Sequence, residues 1–515
     1  MNRFPTPRKF PARCRALSSI VFLRLAAAQA DDTTVDLHHL PAETPCFRVD
    51  RAELSGAHVE RFGWLQRELD AVRGQCVGIG ALQAIKRVLD ARLIERGYTT
   101  SRVGFAEQDL ASGVLQVRLD AGVVSAVRVE AAGDAPPAAW SELFAQPPGA
   151  PFELRRLEQG LDLAERLPSQ RVRVRIEPST QPGGSVLVVE RAPGAARRLH
   201  GAVRIDNGAA AAHGRARVIA ALALDQPSWR NDQLTLAATS NVRGLSPAQR
   251  AQSAALGYSV PWRGTLFEID LMAQRTARRA QARTLSFVNA SYAEQWRAQW
   301  QWPLMRNTTQ RWRAHAALTR WHARGWVADE ELDVQRRDTH VIELGTDGLQ
   351  LYMRGQATWR AAWREGLNGA SPGLAPVRAL RLDAQRSARF GSWSTQLGAT
   401  LQLGRPGMPD EERFAPGLPG FDSVHGPAAD SGASLRSELA HVLPLRGAWR
   451  AAAFVDLGIA RLARQSHLLA GAALGLQARR DALSVELALA APLAGADDPR
   501  SARDTLLRAS ATAHF

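Results

Sequence analysis

The chain has 515 residues, enough for two or three domains, and its formal net charge is +15, with Lys+Arg 65 against Asp+Glu 50. Lys9 and Lys86 are its lysines, so arginine carries almost all of the excess positive charge. After the amino-terminal segment no run approaches the ~18 consecutive apolar residues that a membrane helix needs, which excludes a helical membrane protein and leaves strands as the means of crossing a bilayer.

The amino terminus has the pattern of an export signal. Residues 1–15 hold basic residues and no acidic one, an apolar stretch interrupted by Arg24 follows, and Ala28-Gln-Ala30 precedes Asp31. This order predicts a cleaved secretory signal peptide over residues 1–30. Residues 31–45 are short, polar and proline-bearing, and we interpret them as a leader or linker.

Cysteine usage fits an exported protein. Cys14 would leave with the signal peptide, so Cys46 and Cys76 remain as an even pair in an oxidising compartment. A disulfide between them is the natural assignment. Two free thiols are the alternative, and a metal site is disfavoured because no second Cys or His stands at ligand spacing from either cysteine.

Residues 46–122 alternate between strand and helix patterns. Phe47 to Leu54 alternates as a strand, residues 58–75 and 80–96 have helical spacing, and two short strands follow at 99–105 and 114–119. The same order recurs over residues 123–194, with a strand at 123–130, helices at 138–145 and 152–167, and strands at 171–176 and 185–189. Two consecutive βααββ modules are therefore predicted.

From residue 195 to 515 the helical period disappears and period-2 strands take over. In the stretch 295–302, Trp296, Trp300 and Trp302 lie on one face while Gln295 and Arg297 lie on the other. We count sixteen candidate strands, from Leu199–Asn207 to Leu506–Phe515, at a spacing typical of antiparallel membrane strands. The fold class predicted is thus mixed: two α+β modules followed by a transmembrane β-barrel of about sixteen strands. An all-soluble sandwich is the alternative.

Arginines in this region alternate with apolar residues instead of clustering, which places them in a barrel lumen and argues against nucleic acid as a partner. They are Arg204, Arg215, Arg217, Arg297, Arg313, Arg450 and Arg508. Tryptophan is concentrated after residue 197, which favours interfacial girdles over its other use as ordinary core filler.

The sequence contains no nucleophile elbow, phosphate loop or zinc-helix motif, so we expect a transporter without catalytic residues, cofactor or metal. The acidic clusters Asp329-Glu-Glu331 and Asp410-Glu-Glu412 suit a divalent ion, but solvated loop tips are the simpler interpretation.

Short motifs in a fixed order resemble one family over nearly 470 residues. They are Pro45-Cys46-Phe47, Gln75-Cys76, Glu95-Arg-Gly-Tyr98, Gln108-Asp-Leu-Ala-Ser-Gly-Val-Leu115, Leu157-Glu-Gln-Gly-Leu161, Arg166-Leu-Pro-Ser169, Asp206-Asn-Gly208 and Phe454-Val-Asp456-Leu-Gly458. The chain is similar to TpsB transporters of two-partner secretion, the haemolysin secretion/activation family. The resemblance implies POTRA domains in the periplasm ahead of an outer-membrane barrel.

The resemblance also implies a long loop folded into the lumen, whose Val-Arg-Gly-aromatic tip meets an aspartate on the barrel wall. The wall motif is intact, with Phe454, Asp456 and Gly458. The loop motif departs, because Val424-His425-Gly426 carries histidine in place of arginine and Pro427 in place of the aromatic residue. Histidine offers one bond and a charge only below about pH 6.5, which predicts a weaker, pH-dependent loop anchor. The alternative is a neutral substitution.

Residues 31–45 are too few for the family's amino-terminal plug helix and its linker, so we expect a less occluded resting pore. As the family implies, the function expected is export of an unfolded partner exoprotein, of haemolysin, adhesin or toxin type, that docks on the POTRA modules. Candidate docking edges for an added strand are Arg102, Val103 and Phe105 in the first module and Val172, Val174 and Ile176 in the second.

The aromatic carboxyl terminus, Phe515, is assigned as the signal for insertion by the barrel assembly machinery, with outer-membrane lipid as surroundings. The alternatives are an outer-membrane assembly factor, which usually carries more modules, and a passive porin-like channel.

Overall fold

The computed structural model describes residues 36–130, 136–191, 197–208, 213–242, 246, 248–282, 285–367, 374–419, 428–445, 448–463, 468–494 and 506–515. The predicted signal peptide therefore lies outside the described residues. The chain divides into two units, one holding the residues up to Ala196 and the other most of residues 197–515.

The first module contains a three-stranded sheet, a two-stranded ribbon and two α-helices. Its elements are β1 (Phe47–Arg48), β2 (Arg51–Gly56), α1 (Gly63–Leu69), β3 (Cys76–Val77), α2 (Ile79–Glu95), β4 (Arg102–Gly104) and β5 (Val114–Asp120). The sheet order is β2-β5-β4, with β2 parallel and β4 antiparallel to β5. Short 3-10 helices flank α1 at Val59–Phe62 and Asp70–Val72.

The strand expected over residues 47–54 is divided into β1 and β2. Val49 and Asp50 separate them, because the main chain changes partner between them: the Val49 amide donates to Gln75, while the Asp50 amide donates to Gly113. β1 accordingly pairs with β3, and β2 pairs with β5. Apolar periodicity indicates extended chain but does not reveal such an exchange of partners.

The second module repeats the same order of elements. They are β6 (Val123–Val129), α3 (Pro137–Phe144), α4 (Leu154–Glu165), β7 (Val172–Pro178) and β8 (Gly184–Arg191), in the sheet order β6-β8-β7. Again the last strand lies in the middle, parallel to one neighbour and antiparallel to the other. No helix among the described residues is both long and apolar enough to cross a membrane.

Each module has its own apolar core. In the first, Phe62, Ile85 and Leu115 are completely buried, and in the second Trp140 and Phe144 are. Burying a large apolar side chain contributes roughly 1.5–3 kcal/mol, so these residues stabilise each module around its helices. The prediction of two βααββ modules is confirmed.

The second unit is a closed antiparallel barrel of sixteen strands, as predicted. The strands are β9 (Leu199–Asp206), β10 (Arg217–Asp225), β11 (Gln233–Asn241), β12 (Gln249–Trp262), β13 (Thr265–Ala282), β14 (Leu285–Arg306), β15 (Gln310–Val327), β17 (Arg337–Tyr352), β18 (Gly355–Gly366), β19 (Arg378–Phe390), β20 (Trp393–Gly404), β21 (Gly432–Leu443), β22 (Arg450–Leu462), β23 (Leu468–Arg480), β24 (Leu483–Ala494) and β25 (Leu506–His514). The short β16 (Glu330–Glu331) pairs with the carboxyl-terminal end of β15, at Trp326 and Val327.

The two ends of the barrel differ in the length of their connections. At one end tight turns join neighbouring strands, such as 263–264 between β12 and β13 and 353–354 between β17 and β18. At the other end the connections include 367–377, 405–431 and 495–505. Membrane barrels have short periplasmic turns and longer external loops, which identifies the long-loop end as the external one.

The strand faces alternate as predicted. Trp296, Trp300 and Ile269 are exposed on the outward face, while Arg297 is largely buried on the inward one. Arg215 departs from the expectation, since it lies in the connection before β10 with φ 38 and does not belong to an alternating strand.

The barrel closes between its first and last strands. β25 pairs with β9 from Ser510↔Asp206 to His514↔Ala202, and the main chain of Phe515 exchanges two hydrogen bonds with that of Gly201, at 2.9 and 3.1 Å. The closed ladder leaves no exposed sheet edge in the bilayer.

Candidate functional site in the barrel lumen

The inward face of β22 carries the wall motif. Phe454, Asp456 and Gly458 are directed inward, whereas Val455 and Leu457 are exposed on the outward face. This alternation follows from the two-residue period of a strand. Asp456 is 3% exposed, so its carboxylate needs a partner inside the lumen.

That partner is Arg436 on the neighbouring strand β21. Its Nε lies 2.9 Å from both carboxylate oxygens of Asp456, and one terminal nitrogen also contacts the carboxylate. Glu438 stands directly opposite Asp456 in the β21–β22 register. An arginine fork suits this crowded acidic position because it binds the carboxylate through several donors. Sequence reasoning missed Arg436, whose only signal is that it shares the inward parity of Glu438.

The described residues of the long external connection 405–431 pack against this wall. Phe414 and Leu418 are buried with Ala460, Leu462 and Leu469 in a small apolar cluster. A Cβ placed on Gly458 would lie 2.8 Å from Leu418 and 3.0 Å from Pro419, so glycine permits this close approach. The loop tip residues Val424, His425 and Gly426 lie outside the described residues, and their anchoring role stays a prediction.

The base of the same connection is held by charge. Arg337 lies 3.2 Å from Glu411, and Arg364 lies 2.8 Å from Glu412. Asp410, by contrast, is exposed. The interpretation of 410–412 as a solvated loop tip is therefore wrong for two of its three residues. We call the contacts of Glu411 and Glu412 with Arg337 and Arg364 the base latch.

Burial sets the protonation of the base latch. It raises the pKa of the Glu411 and Glu412 carboxyl groups, because removal from water penalises the charged form. The positive charges of Arg337 and Arg364 oppose this shift. The latch therefore depends on arginines that keep two poorly solvated carboxylates in place.

The latch continues into a charged network on the lumen wall. Glu343 on β17 is 4% exposed and accepts hydrogen bonds from Arg297 at 2.9 Å, Arg360 at 2.8 Å and Arg364 at 2.8 Å. His315 lies 3.1 Å from the same carboxylate. Arg364 thus joins the wall carboxylate to the connection through its second contact, with Glu412.

The predicted docking residues lie on the edge strands of the two modules. Arg102 and Val103 are in β4, with Phe105 just beyond it, and β4 pairs only with β5. Both main-chain groups of Val103 are already bonded: its amide donates to Asp90 at 2.8 Å, and its carbonyl accepts from Lys86 at 2.7 Å. Side chains of α2 therefore cover the outer edge of β4.

The second candidate edge is longer and uncovered. Val172, Val174 and Ile176 lie in β7, a seven-residue strand that pairs only with β8. Within the part of the chain that the structure describes, no residue bonds to the main-chain groups of β7 on the side away from β8. Val172 is buried in the core and Ile176 is 43% exposed.

The structure joins Cys46 and Cys76 by a disulfide, with their Cα atoms 5.3 Å apart. It links the start of β1 to β3. The side chain of Phe515 is 63% exposed on the outward face of the barrel. Across the described ranges, no group of three or more His, Cys, Asp or Glu residues is arranged to hold a metal ion.

Three family models match the chain. Residues 183–478 match the haemolysin secretion/activation protein ShlB/FhaC/HecB family, residues 47–122 match the ShlB-type POTRA domain, and residues 123–178 match a further POTRA domain.

Among curated relatives, the outer membrane transporter CdiB-2 of Burkholderia pseudomallei (strain 1026b) is 31% identical over 238 residues, which is 43% of this chain and 40% of the relative. The hemolysin transporter protein HpmB of Proteus mirabilis is 27% identical over 290 residues, 56% of this chain and 50% of the relative. The matched part of the chain thus spans about two fifths to one half of these relatives' length.

Solved structures support the architecture. The structure of CdiB from Escherichia coli aligns with a TM-score of 0.78 at 22% identity, covering 93% of this chain and 94% of that one. CdiB from Acinetobacter baumannii aligns with the same TM-score at 17% identity, covering 94% and 92%. At these identities the likeness shows the fold.

Proposed function

Because this chain belongs to the haemolysin secretion/activation protein family, we propose that it exports one large partner protein through its barrel. The barrel lies in the outer membrane and the two modules lie in the periplasm. The partner is an exoprotein of the haemolysin, adhesin or toxin kind that reaches the periplasm unfolded.

The observation that carries this proposal is a polar lumen with a connection folded against its wall. The wall presents Glu343 with its arginines, and the described part of the connection 405–431 reaches Gly458 through Leu418 and Pro419. Its described part is held by salt bridges, by two small apolar clusters around Phe414 and Met408, and by hydrogen bonds such as that from Gln402 to the Glu412 carbonyl. None of its described residues forms a strand of the barrel sheet. An extended client can displace such a connection without opening the barrel ladder.

For client recognition we propose strand addition to β7. An added strand needs main-chain donors and acceptors that are not already bonded, and pockets for alternate side chains. β7 offers such unbonded main-chain groups along an edge of seven residues. β4 has three residues, and the main-chain groups of one of them, Val103, are already bonded to Lys86 and Asp90. The exposed Ile176 offers an apolar contact beside the added strand.

Site-specific photo-crosslinking tests this docking edge. A crosslinking residue is placed at Arg173 on β7 and, as the matched control, at Arg102 on β4. With the partner's amino-terminal secretion domain present, we expect a crosslinked product at Arg173 and little at Arg102. Equal products at both positions, or a product at Arg102 alone, would overturn the choice of β7.

The export proposal itself is tested in cells that lack this chain. Co-expression of the chain with a very long, repeat-rich secreted protein encoded beside it should bring that protein into the medium. Levels of other outer-membrane proteins should stay unchanged. If the cells that lack the chain have lower levels of other outer-membrane proteins but still export the partner, the chain would instead be an assembly or insertion factor.

We further propose that the cell's barrel assembly machinery inserts the chain and reads Phe515, and that nucleic acid is not a partner. The outward exposure of Phe515 beside the closing ladder supports a role in recognition during insertion.

A further inference from the structure

A cavity opens on the outward face of the barrel near its external end. It measures about 510 Å³ and spans the outer parts of β12 to β15. Three arginines, a histidine and two aromatic residues line it: Arg250, Arg275, Arg324, His322, Tyr292 and Trp326. Nothing in the export proposal uses this site.

Register places these side chains on the face that meets lipid. Along β14 and β15 the cross-strand pairs Trp296↔Arg320, Glu294↔His322, Tyr292↔Arg324 and Ala290↔Trp326 follow one another at two-residue steps. Trp296 is 56% exposed on the outward face, and side chains two or four residues away share its face. Tyr292, Arg324 and Trp326 are therefore directed outward as well.

The cavity lies at the level of lipid headgroups. Ten residues separate Tyr292 from Trp302, the girdle residue near the short-turn end of β14. At ~3.4 Å per residue and a tilt of ~40°, this separation corresponds to roughly 25 Å along the barrel axis, the height of the apolar band of a membrane barrel. Between them the outward residues of β15 change from Ala314, Ala316 and Leu318 on the side of Trp302 to Arg320 and His322 on the side of Tyr292, so the charged surface begins just below the cavity.

The lining chemistry suits an anion. Arg275 lies over the Tyr292 ring at 5.4 Å. The Tyr292 hydroxyl donates at 3.0 Å to Glu294, the only acidic residue among the described residues that line the cavity. Three arginines therefore face one carboxylate. Arginine groups of this kind bind phosphate through several charge-assisted hydrogen bonds.

His322 adds an unmatched donor. Arg324 Nε donates to His322 Nε2 at 3.1 Å, which places the proton of the neutral imidazole on Nδ1. That nitrogen is buried without a hydrogen-bond partner among the residues that the structure describes. A buried donor without an acceptor is unfavourable, so a turn of the His322 ring that brings Nδ1 to an anionic oxygen in the cavity would satisfy it.

We propose that this cavity binds the phosphorylated headgroup of a glycolipid in the external leaflet. The arginines and His322 Nδ1 hold the phosphate, while Tyr292 and Trp326 lie at the interface beside the rest of the headgroup. Bound lipid would connect the tops of β12 to β15 and fix this side of the wall in the membrane.

The test uses the full chain in phosphatidylcholine nanodiscs. The probes are a bisphosphorylated lipid A, its dephosphorylated form and inorganic phosphate, with native mass spectrometry as the measure of binding. The wild-type chain should bind the phosphorylated lipid about tenfold or more tightly than the dephosphorylated one. Inorganic phosphate at millimolar concentration should not displace it. Equal binding of the two lipids, or ready displacement by phosphate, overturns the proposal.

Variants locate the site. Arg275→Gln with Arg324→Gln should remove the preference for the phosphorylated lipid. Arg386→Gln is the matched control, since Arg386 also lies over a tyrosine ring, that of Tyr352 at 5.9 Å, but at the short-turn end of the wall. An equal loss in the control contradicts the proposed location. The comparison of the two lipids in the wild-type chain tests the proposal by itself, so the test remains decisive even if a variant fails to fold.

Discussion

Glu43 stabilises the start of α2 from a segment interpreted from sequence as a linker. Its carboxylate accepts the amide hydrogens of Gly78, Gly80 and Ala81 at 2.9, 2.8 and 2.8 Å. These first amides of a helix have no hydrogen-bond partner within the helix. A negative charge at this position also interacts favourably with the positive end of the helix dipole. Composition alone gave no signal for this contact, because the carboxylate and the helix lie 35 residues apart.

The Glu43 contact predicts a defined pH dependence. The amides of Ala81 and Gly80 lower the pKa of Glu43, so its folded-state pKa lies below the unfolded value of about 4.3. Stabilisation is then complete above that value and is lost as pH falls through the lowered folded pKa. Glu43→Gln should speed amide hydrogen exchange at residues 78–82 at pH 7, and the difference from wild type should vanish in acid.

The control for Glu43 is Glu53→Gln, which removes a carboxylate of the same module whose partner is the surface residue Arg51. It should leave exchange at residues 78–82 unchanged. A difference between Glu43→Gln and wild type that persists far below pH 4 would contradict the assigned cause.

Arg436 is expected to be the main stabiliser of Asp456. Arg436→Gln leaves a carboxylate that is 3% exposed without its guanidinium, beside Glu438. Because the Arg436 side chain is itself half exposed, the loss should stay below the ~3 kcal/mol of a fully buried pair. Guanidinium unfolding in lipid vesicles measures the loss. Arg436→Lys keeps the positive charge but not the several donors of the guanidinium, so it should lose less stability than Arg436→Gln. Equal stability of Arg436→Gln and wild type would contradict the pairing.

His425 gives a separate prediction about conductance. If its imidazole contributes to the loop anchor, wild-type channel conductance should change between pH 5 and 8, where histidine titrates. His425→Arg keeps its charge throughout and should give a flat curve. Identical curves for the two proteins would leave His425 as a neutral substitution.

At the scale of elements, the connection 405–431 is expected to be held mainly at its base. Glu411→Gln with Glu412→Gln removes both carboxylates that face Arg337 and Arg364. The freed connection should leave the lumen more often, so planar-bilayer recordings should show more frequent large openings. Glu331→Gln is the control, because Glu331 pairs with Arg336 in another external connection. Unaltered openings in the double variant would show that the apolar clusters around Phe414 and Met408, with the remaining hydrogen bonds, are enough to hold the connection.

Local pattern predicted the elements well where one face of each is buried. The helical spacing over residues 80–96 predicted α2, which the structure places at Ile79–Glu95 with Ile85, Leu89 and Leu93 buried. The wall motif predicted Asp456 on the barrel wall, and its alternation with Val455 and Leu457 directs it inward. Local pattern failed where partners come from distant parts of the chain. Neither the cover that Lys86 gives to β4 nor the burial of Glu412 follows from neighbouring residues.

At the scale of the whole molecule, the number of strands can be predicted from the sequence. Each membrane strand must alternate apolar and polar residues, because one face meets lipid and the other meets the charged lumen. Sixteen strands close through β25 and β9 with every neighbour antiparallel. The position of the loop within the lumen depends on side-chain contacts such as Leu418 against Gly458, which strand periodicity does not encode.

Barrel closure and client recognition are expected to be separable. The hydrogen-bonded ladder that closes the barrel lies within residues 199–515, so a variant lacking residues 46–192 should still migrate as a heat-modifiable barrel and conduct ions. It should not export the partner, because the β7 edge is gone. Partner protein in the medium measures export, and single-channel recording reports the pore. A full-length chain with Ile176→Lys is the milder comparison, expected to reduce export with normal conductance. Undiminished export by the shortened chain would instead favour a passive channel, since such a channel has no use for the modules.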